Sequence, residues 1–433
     1  MGTSRFKIQY LPTIVLIVVG ALVWMLACGN VASAFDFHTD SAHGHDTDGV
    51  NRWDVVPDPD HPDAYKIGAC EHCHDTFNDS ICGENDLMLF KTAYFCVQCH
   101  QYPEDNVSHQ VGMPYQGCYS YKFGGDTTIT CPSSIKAAFL FINQVGTGQP
   151  VSNCGSNKGS AHYLPDIGDF LQNRWGFGDT SDNINLCEGC HNPHRAQQHD
   201  YPVGSQGTSP ISLPSTHDGN WDVYGAKTTE RMDSYAGTQV YLAPYYYNKW
   251  GQGQYEPDGG SQQYGANIPD YVTFCTECHN DSNDIYSTQL GRYLHKFDWD
   301  TEKHGRAAAS DGGGYTDFWY PYYDNQSGNY VLSCTDCHEP HGSPNPFLIR
   351  QRVNDRTASI PGGKGEWANL CENCHMHRSH SQDPPDYGPH YKILQQGYCS
   401  ECHNMHQGIY EPCNKCHYHG GTFTTYVDTY KTF

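Results

Sequence analysis

Basic residues are scarce in this chain. Lysine and arginine together number 25 against 48 aspartates and glutamates, for a formal net charge of −23. So acidic a protein repels nucleic acid and anionic lipid, which excludes both as partners. Hydrophobic residues are also few, at 37% of the chain, while glycine and proline number 44 and 25. That composition cannot build a large aliphatic core, so something other than side chains is expected to fill the interior. After residue 34 there is no apolar run of membrane length, and no spanning helix is expected beyond that point.

One long apolar run does exist, at the start. Arg5 and Lys7, an apolar stretch from Leu11 to Ala27 and then Ala32-Ser33-Ala34 follow the order of a secretory signal peptide over residues 1–34, cleaved before Phe35. The stretch just reaches spanning length, so an uncleaved anchor is the alternative. The expected location is secreted, extracellular or at the outer cell surface, after export through the periplasm, with no membrane association once the signal is removed.

Cysteine is plentiful, and its arrangement carries the chemistry. Sixteen of the 21 cysteines fall in eight copies of CxxCH. They are Cys70/Cys73/His74, Cys96/Cys99/His100, Cys187/Cys190/His191 and Cys275/Cys278/His279, followed by Cys334/Cys337/His338, Cys371/Cys374/His375, Cys399/Cys402/His403 and Cys413/Cys416/His417. Cysteines three apart share one side of a helical turn and can form thioethers to both vinyl groups of one porphyrin, while the next residue turns its imidazole onto the iron. Zinc ribbons need paired CxxC knuckles but no histidine in the fifth place. Eight repeats of the full pattern therefore point to eight haem c groups.

Four further cysteines, Cys82, Cys118, Cys131 and Cys154, lie between the second and third motifs. In an exported chain they are expected to form two disulfides, with three connectivities open. Histidine is in surplus as well: of 26, eight close a CxxCH and eighteen remain. An iron held by imidazole on both faces exchanges electrons and has no site for a small-molecule substrate. In CEGCHNPH and CTDCHEPH the second histidines, His194 and His341, follow Pro193 and Pro340. The residue before proline leaves helical conformation, so these imidazoles are expected to reach a different porphyrin from the one their motif holds. Three residues span about 10 Å at most, which ties the two irons close together. The other candidate distal ligands are His38, His109, His162, His295 and His304, with His390 and His406 preferred among the C-terminal histidines.

The intervals between motifs shrink from 91 residues to 14 toward the C-terminus, leaving too little chain per cofactor for separate domains. The expectation is a single octahaem domain over residues 35–433. Its fold class is mostly irregular coil with short helices and few strands, wrapped around a continuous stack of eight c-type haems. Helices are expected over 135–141 and 287–296. Aromatic clusters at Tyr241–Trp250 and Phe318–Tyr323 are expected to pack on porphyrin or neighbouring chain.

Several of these pieces occur together and in order: FDFH ending at His38, CVQCHQYPEDNVSH ending at His109, KGSAH ending at His162, and LCEGCHNPH. FCTECHNDSNDIYSTQLGRYLH ending at His295, EKHG with His304, CTDCHEPHGSP with a following FLIR, and LCENCH complete the series. The layout resembles the OmcS-like family of hexahaem outer-surface cytochromes that polymerise into conductive filaments, and the likeness covers most of residues 35–375. It implies little secondary structure around a haem chain with every iron bis-histidine. It also implies that His38 ligates a haem of the adjacent subunit, so that a head-to-tail contact propagates into a filament. This chain departs from the pattern in its four extra cysteines and in a two-haem extension over 376–433. The implied partners are other copies of the chain, redox partner cytochromes and extracellular electron acceptors. The alternatives are an octahaem enzyme acting on nitrogen or sulfur oxyanions and a monomeric periplasmic shuttle. Such enzymes typically have one haem with an open face, sometimes marked by CxxCK, which is absent here, so the expectation is a protein that is not an enzyme.

Overall fold

The computed structural model describes residues 160–176, 186–195, 265–306 and 330–360 almost continuously. It also describes 211–213, 318–322, 368–375 and 418–424, and parts of 41–50, 66–74, 224–255 and 403–431 with residue 96. The chain separates into two compact units, one of Met1–Phe90 with Pro193–Asp200 and one of Lys91–Asn192 with Tyr201–Phe433.

Helices are short, and their ends are written in the sequence. The longest described, α1 (Leu164–Trp175), has Pro165 in its first turn, where no N–H is needed, and stops at Gly176 in the left-handed region at φ 66°. Two more, α2 (Met232–Ala236) and α3 (Tyr271–Thr276), run little beyond a turn. Single turns form α4 (Cys334–Cys337) and α5 (Ala368–Cys371).

Described strands pair only as separate antiparallel hairpins. These are β1 (Tyr245–Tyr247) with β2 (Gly253–Tyr255), β3 (Tyr286–Ser287) with β4 (Arg292–Tyr293), and β5 (Arg352–Val353) with β6 (Arg356–Thr357). Toward the C-terminus β7 (His403–Asn404) pairs with β8 (Gly408–Ile409), and β9 (Thr422–Thr424) with β10 (Thr429–Lys431). The β3–β4 hairpin replaces the helix expected over 287–296. Tyr286 and Tyr293 face each other across it with ring centres 5.2 Å apart, and Gly291 makes the turn at φ 63°. The Thr288 N–H and hydroxyl both donate to Asp166 of α1 at 2.9 Å. A cross-strand aromatic pair and a glycine turn thus outweigh local helix propensity. The helix expected over 135–141 lies outside the described residues.

Among the described residues the buried hydrophobic cluster is small. Met232, Tyr235, Ala236, Tyr241, Ala243, Ile268, Val272, Trp299 and Val331 form one buried cluster, with Phe297, Leu332 and Cys334 packed against it. It joins α2 to α3, which carries Cys275 and runs on toward Cys278, and it touches the first cysteine of α4. Its physical effect is to hold two CxxCH turns in place. Among the described residues no helix is long and apolar enough to cross a membrane.

Candidate functional site

Five CxxCH segments are described with their histidines, and all five close the same way. The N–H of the histidine donates to the carbonyl of the first cysteine, at 2.8 Å for His74, 3.0 Å for His191, 2.9 Å for His279, 3.0 Å for His338 and 2.8 Å for His375. One helical turn thus sets both cysteines and the imidazole on one side. Each turn has local support. Asp270 caps α3 by accepting from the Thr273 N–H at 2.9 Å and from the Tyr224 hydroxyl at 3.2 Å. At α4, the Ser333 N–H donates to Asp336 at 2.8 Å and the Tyr241 hydroxyl to the same carboxylate at 2.9 Å. The buried Arg350 donates to the carbonyls of Thr335 and Asp336, at 3.1 and 3.3 Å. From the β5–β6 hairpin, Asn354 and Arg356 donate to the carbonyls of Asn373 and Glu372 at 2.8 and 3.3 Å.

Among the described residues no disulfide joins the motif cysteines Cys70, Cys73, Cys96, Cys187, Cys190, Cys275, Cys278, Cys334, Cys337, Cys371 and Cys374, and all are half-buried. What the chain itself supplies is the spacing. The Cys73 N–H donates to the Cys70 carbonyl at 2.9 Å and the Cys374 N–H to the Cys371 carbonyl at 3.1 Å, which holds each second cysteine one turn beyond the first. Thiols of different motifs also meet. Cys187 hydrogen-bonds Cys96, and Cys275 hydrogen-bonds Cys334. Cys190 lies within electrostatic reach of Cys275 and Cys278, and Cys371 of Cys337. Those hydrogen bonds, with burial behind them, raise the Cys187 and Cys275 thiols well above the ordinary range. Burial alone pushes Cys190 up to about 11, and burial is the main cause lifting Cys337 to about 12.

The histidines come in twos. His74 lies beside His194 with ring centres 5.7 Å apart, His162 beside His279 at 6.0 Å, and His191 beside His341 at 6.1 Å. His304 lies beside His375 at 6.2 Å, and His338 beside His419 at 5.9 Å. Every pair joins one CxxCH histidine to one that closes no motif. Metal–imidazole bonds run to about 2 Å, so two imidazoles facing across one metal place their ring centres about 6 Å apart. For His74 and His194 the two Nε2 atoms face each other at 3.4 Å.

Backing bonds aim the rings. Nδ1 of His162 meets the Pro340 carbonyl at 2.5 Å, Nδ1 of His338 the Phe347 carbonyl at 2.9 Å, and Nδ1 of His341 the Glu339 carboxylate at 3.0 Å. Such a bond fixes the tautomer and turns Nε2 toward a metal. Burial drives the His279 and His419 imidazoles down to about 3 and His338 to about 4, and lowers His162 and His375 too. All five are neutral near pH 7, the form that binds metal.

Two histidines stand apart from the sequence expectations. His419 was passed over in favour of His390 and His406; its signal is its long-range seat against His338, Phe297 and Trp299, which no local spacing encodes. His43, outside the candidate ligands of the sequence, is half-buried, and its Nδ1 lies 3.0 Å from the Pro193 carbonyl, as His162 holds that of Pro340. His295 is exposed and stacks on Tyr418 at 4.5 Å. His38, His100, His109, His390, His406 and His417 lie outside the described residues, as do Cys82, Cys99, Cys118, Cys131, Cys154, Cys399, Cys402, Cys413 and Cys416. The backbone of His403 begins β7.

Among the described residues no group of three or more histidine, cysteine or acidic side chains is arranged to hold a metal ion. Donors in twos suit a metal whose remaining ligands come from a macrocycle, and the adjoining cysteine pair suits attachment of that macrocycle. The residues present therefore fit haem c. No curated protein and no solved structure matches the chain. The family described as "Doubled CXXCH motif" matches residues 330–380, which hold the motifs of Cys334 and Cys371. Paired motifs of this kind indicate a multihaem c-type cytochrome, with covalently bound haem and electron transfer as its chemistry.

Proposed function

We propose that this chain is an extracellular octahaem electron conduit in which every iron is bis-histidine, and that it polymerises into a conductive filament. The observation that carries the reading is the set of five imidazole pairs with ring centres 5.7 to 6.2 Å apart. Haem bound there would supply reversible one-electron redox chemistry. The chain's own part is to fix both axial imidazoles, keep them neutral and bring successive motifs into contact through the Cys187–Cys96 and Cys275–Cys334 meetings. Sites closed on both faces leave no place for a substrate, which favours a conduit over an enzyme. The three irons of the motifs ending in His100, His403 and His417 draw their second ligand in this reading from among His38, His43, His109, His295, His390 and His406.

The filament rests on the ordered resemblance over residues 35–375 and on His38 as a ligand donated to the next subunit. The mature haem-loaded protein should give eight haems per chain by pyridine haemochrome and filaments by electron microscopy. Removing residues 35–45 should abolish the filaments and cost one low-spin site. Isolated particles from the intact protein would contradict polymerisation, and a lower haem count would contradict the octahaem reading.

A further inference from the structure

Residues 338–341 serve three of the paired sites at once. His338 faces His419 in the site of Cys334 and Cys337, and His341 faces His191 in the site of Cys187 and Cys190. Between them, the Pro340 carbonyl backs Nδ1 of His162, which faces His279 in the site of Cys275 and Cys278. Backbone bonds pin the segment. His338 forms an antiparallel bridge with Ile349, and the Glu339 N–H donates to the Leu348 carbonyl at 2.8 Å.

What backs the imidazoles differs from site to site. His162 and His338 rest on neutral carbonyls, those of Pro340 and Phe347. His341 rests on a carboxylate: Oε1 of Glu339 lies 3.0 Å from its Nδ1 and 3.3 Å from its backbone nitrogen. An imidazole that binds a metal through Nε2 keeps its proton on Nδ1, so Glu339 accepts both bonds. Glu339 is 1% exposed, and its Oε2 is buried with no hydrogen-bond partner among the described residues. With bulk solvent excluded and no second donor sharing the charge, the carboxylate acts on the imidazole at a low local dielectric.

We infer that Glu339, acting through His341, sets the site of Cys187 and Cys190 lower in reduction potential than the sites of Cys275 and Cys334 that residues 338–341 join to it. This deepens the bis-histidine reading and rests on it. A carboxylate that accepts from Nδ1 makes the imidazole a stronger donor to its metal. Stronger donation, together with a buried negative charge, favours ferric over ferrous iron. The carbonyls behind His162 and His338 carry no net charge and pull less. One electron entering the site turns its ferric iron ferrous while a neighbouring ferrous haem becomes ferric, and no other bond changes. The site is thus a threshold in the conduit, filled only by donors reducing enough to overcome Glu339.

Glu339→Gln tests this, because it keeps an acceptor of the same shape and removes the charge. In the purified holoprotein, potentiometric titration followed by EPR should show full haem content and all low-spin signals, with one midpoint potential moved upward. The signal that moves should be that of nearly parallel imidazoles, since the His191 and His341 planes lie 8° apart, against 20° to 60° in the other four described pairs. Unchanged potentials, or a shift confined to another signal, would overturn the inference and leave the bis-histidine reading intact. A high-spin site in the wild type would overturn that reading and the inference with it. If Glu339→Gln yields no holoprotein, EPR of the oxidised wild type decides. The near-parallel signal should show the larger ligand-field splitting of an imidazolate-like axial ligand, and a splitting no larger than that of the other signals overturns the inference.

Discussion

A histidine that ligates a metal must be neutral, aimed and backed. His338 meets all three conditions: burial pulls it down to about 4, the Phe347 carbonyl fixes its Nδ1, and His419 faces it. Because its folded pKa lies below the ordinary 6.5, its contribution to stability is present above that value and lost as pH falls through about 4. Asp336 carries the opposite sign. Burial pushes its carboxyl up to about 7 from an ordinary 3.8, against the pull of Ser333, Tyr241 and Arg350. The fold holds a proton that the unfolded chain releases, so this contribution is complete below 3.8 and lost as pH rises through about 7. Asp336→Asn should flatten the fall in unfolding free energy between about pH 4 and pH 7, measured by urea denaturation; an unaltered slope would count against the buried-carboxylate account. At this scale the sequence was partly legible. The proline beside His194 and His341 signals that the chain turns away from its own motif, and the structure sets these rings beside His74 and His191. The place of His419 was not legible, because it depends on residues 296–302 and on Glu302 holding Gly420.

The elements here are short because each does one local job. A CxxCH turn needs four or five residues and a cap, and the caps are the part a sequence shows well: Ser333 with Asp336 three residues on, and Asp270 three before Thr273. Asp270→Ala should cost about 1 kcal/mol of stability through the lost cap. The Tyr224 hydroxyl loses its partner at the same time, so the measured cost should lie above that of an exposed cap; chemical denaturation checks this, and a variant as stable as wild type would show that the cap contributes nothing to holding the Cys275 turn. Element type was less legible than element ends. Residues 287–296 carry a helical apolar spacing, but a strand pair needs only Tyr286 opposite Tyr293 and a glycine with positive φ between them. In so short a segment periodicity cannot separate the two outcomes, and the Asp166–Thr288 contact, over 122 residues of chain, lies beyond any local window.

Over the whole molecule, the proposed reading sets bound haem against the scarcity of hydrophobic residues. The described core cluster has nine buried side chains, and a chain only 37% hydrophobic has little apolar area to set against the conformational entropy of folding. A ligand that binds the folded chain alone stabilises it by mass action. The same chain made without haem attachment should therefore be unfolded, with coil-like circular dichroism and rapid proteolysis; a compact, protease-resistant apoprotein would show that side chains suffice. Motif spacing made the described CxxCH turns legible, while the order in which motifs meet depended on thiol contacts such as Cys275 with Cys334. The central claim is that imidazole closes both faces of every iron, and reaction of the fully reduced holoprotein with carbon monoxide tests it most directly. The account predicts no adduct and an unchanged low-spin ferrous spectrum, whereas ready formation of a carbonyl complex at any haem would contradict it.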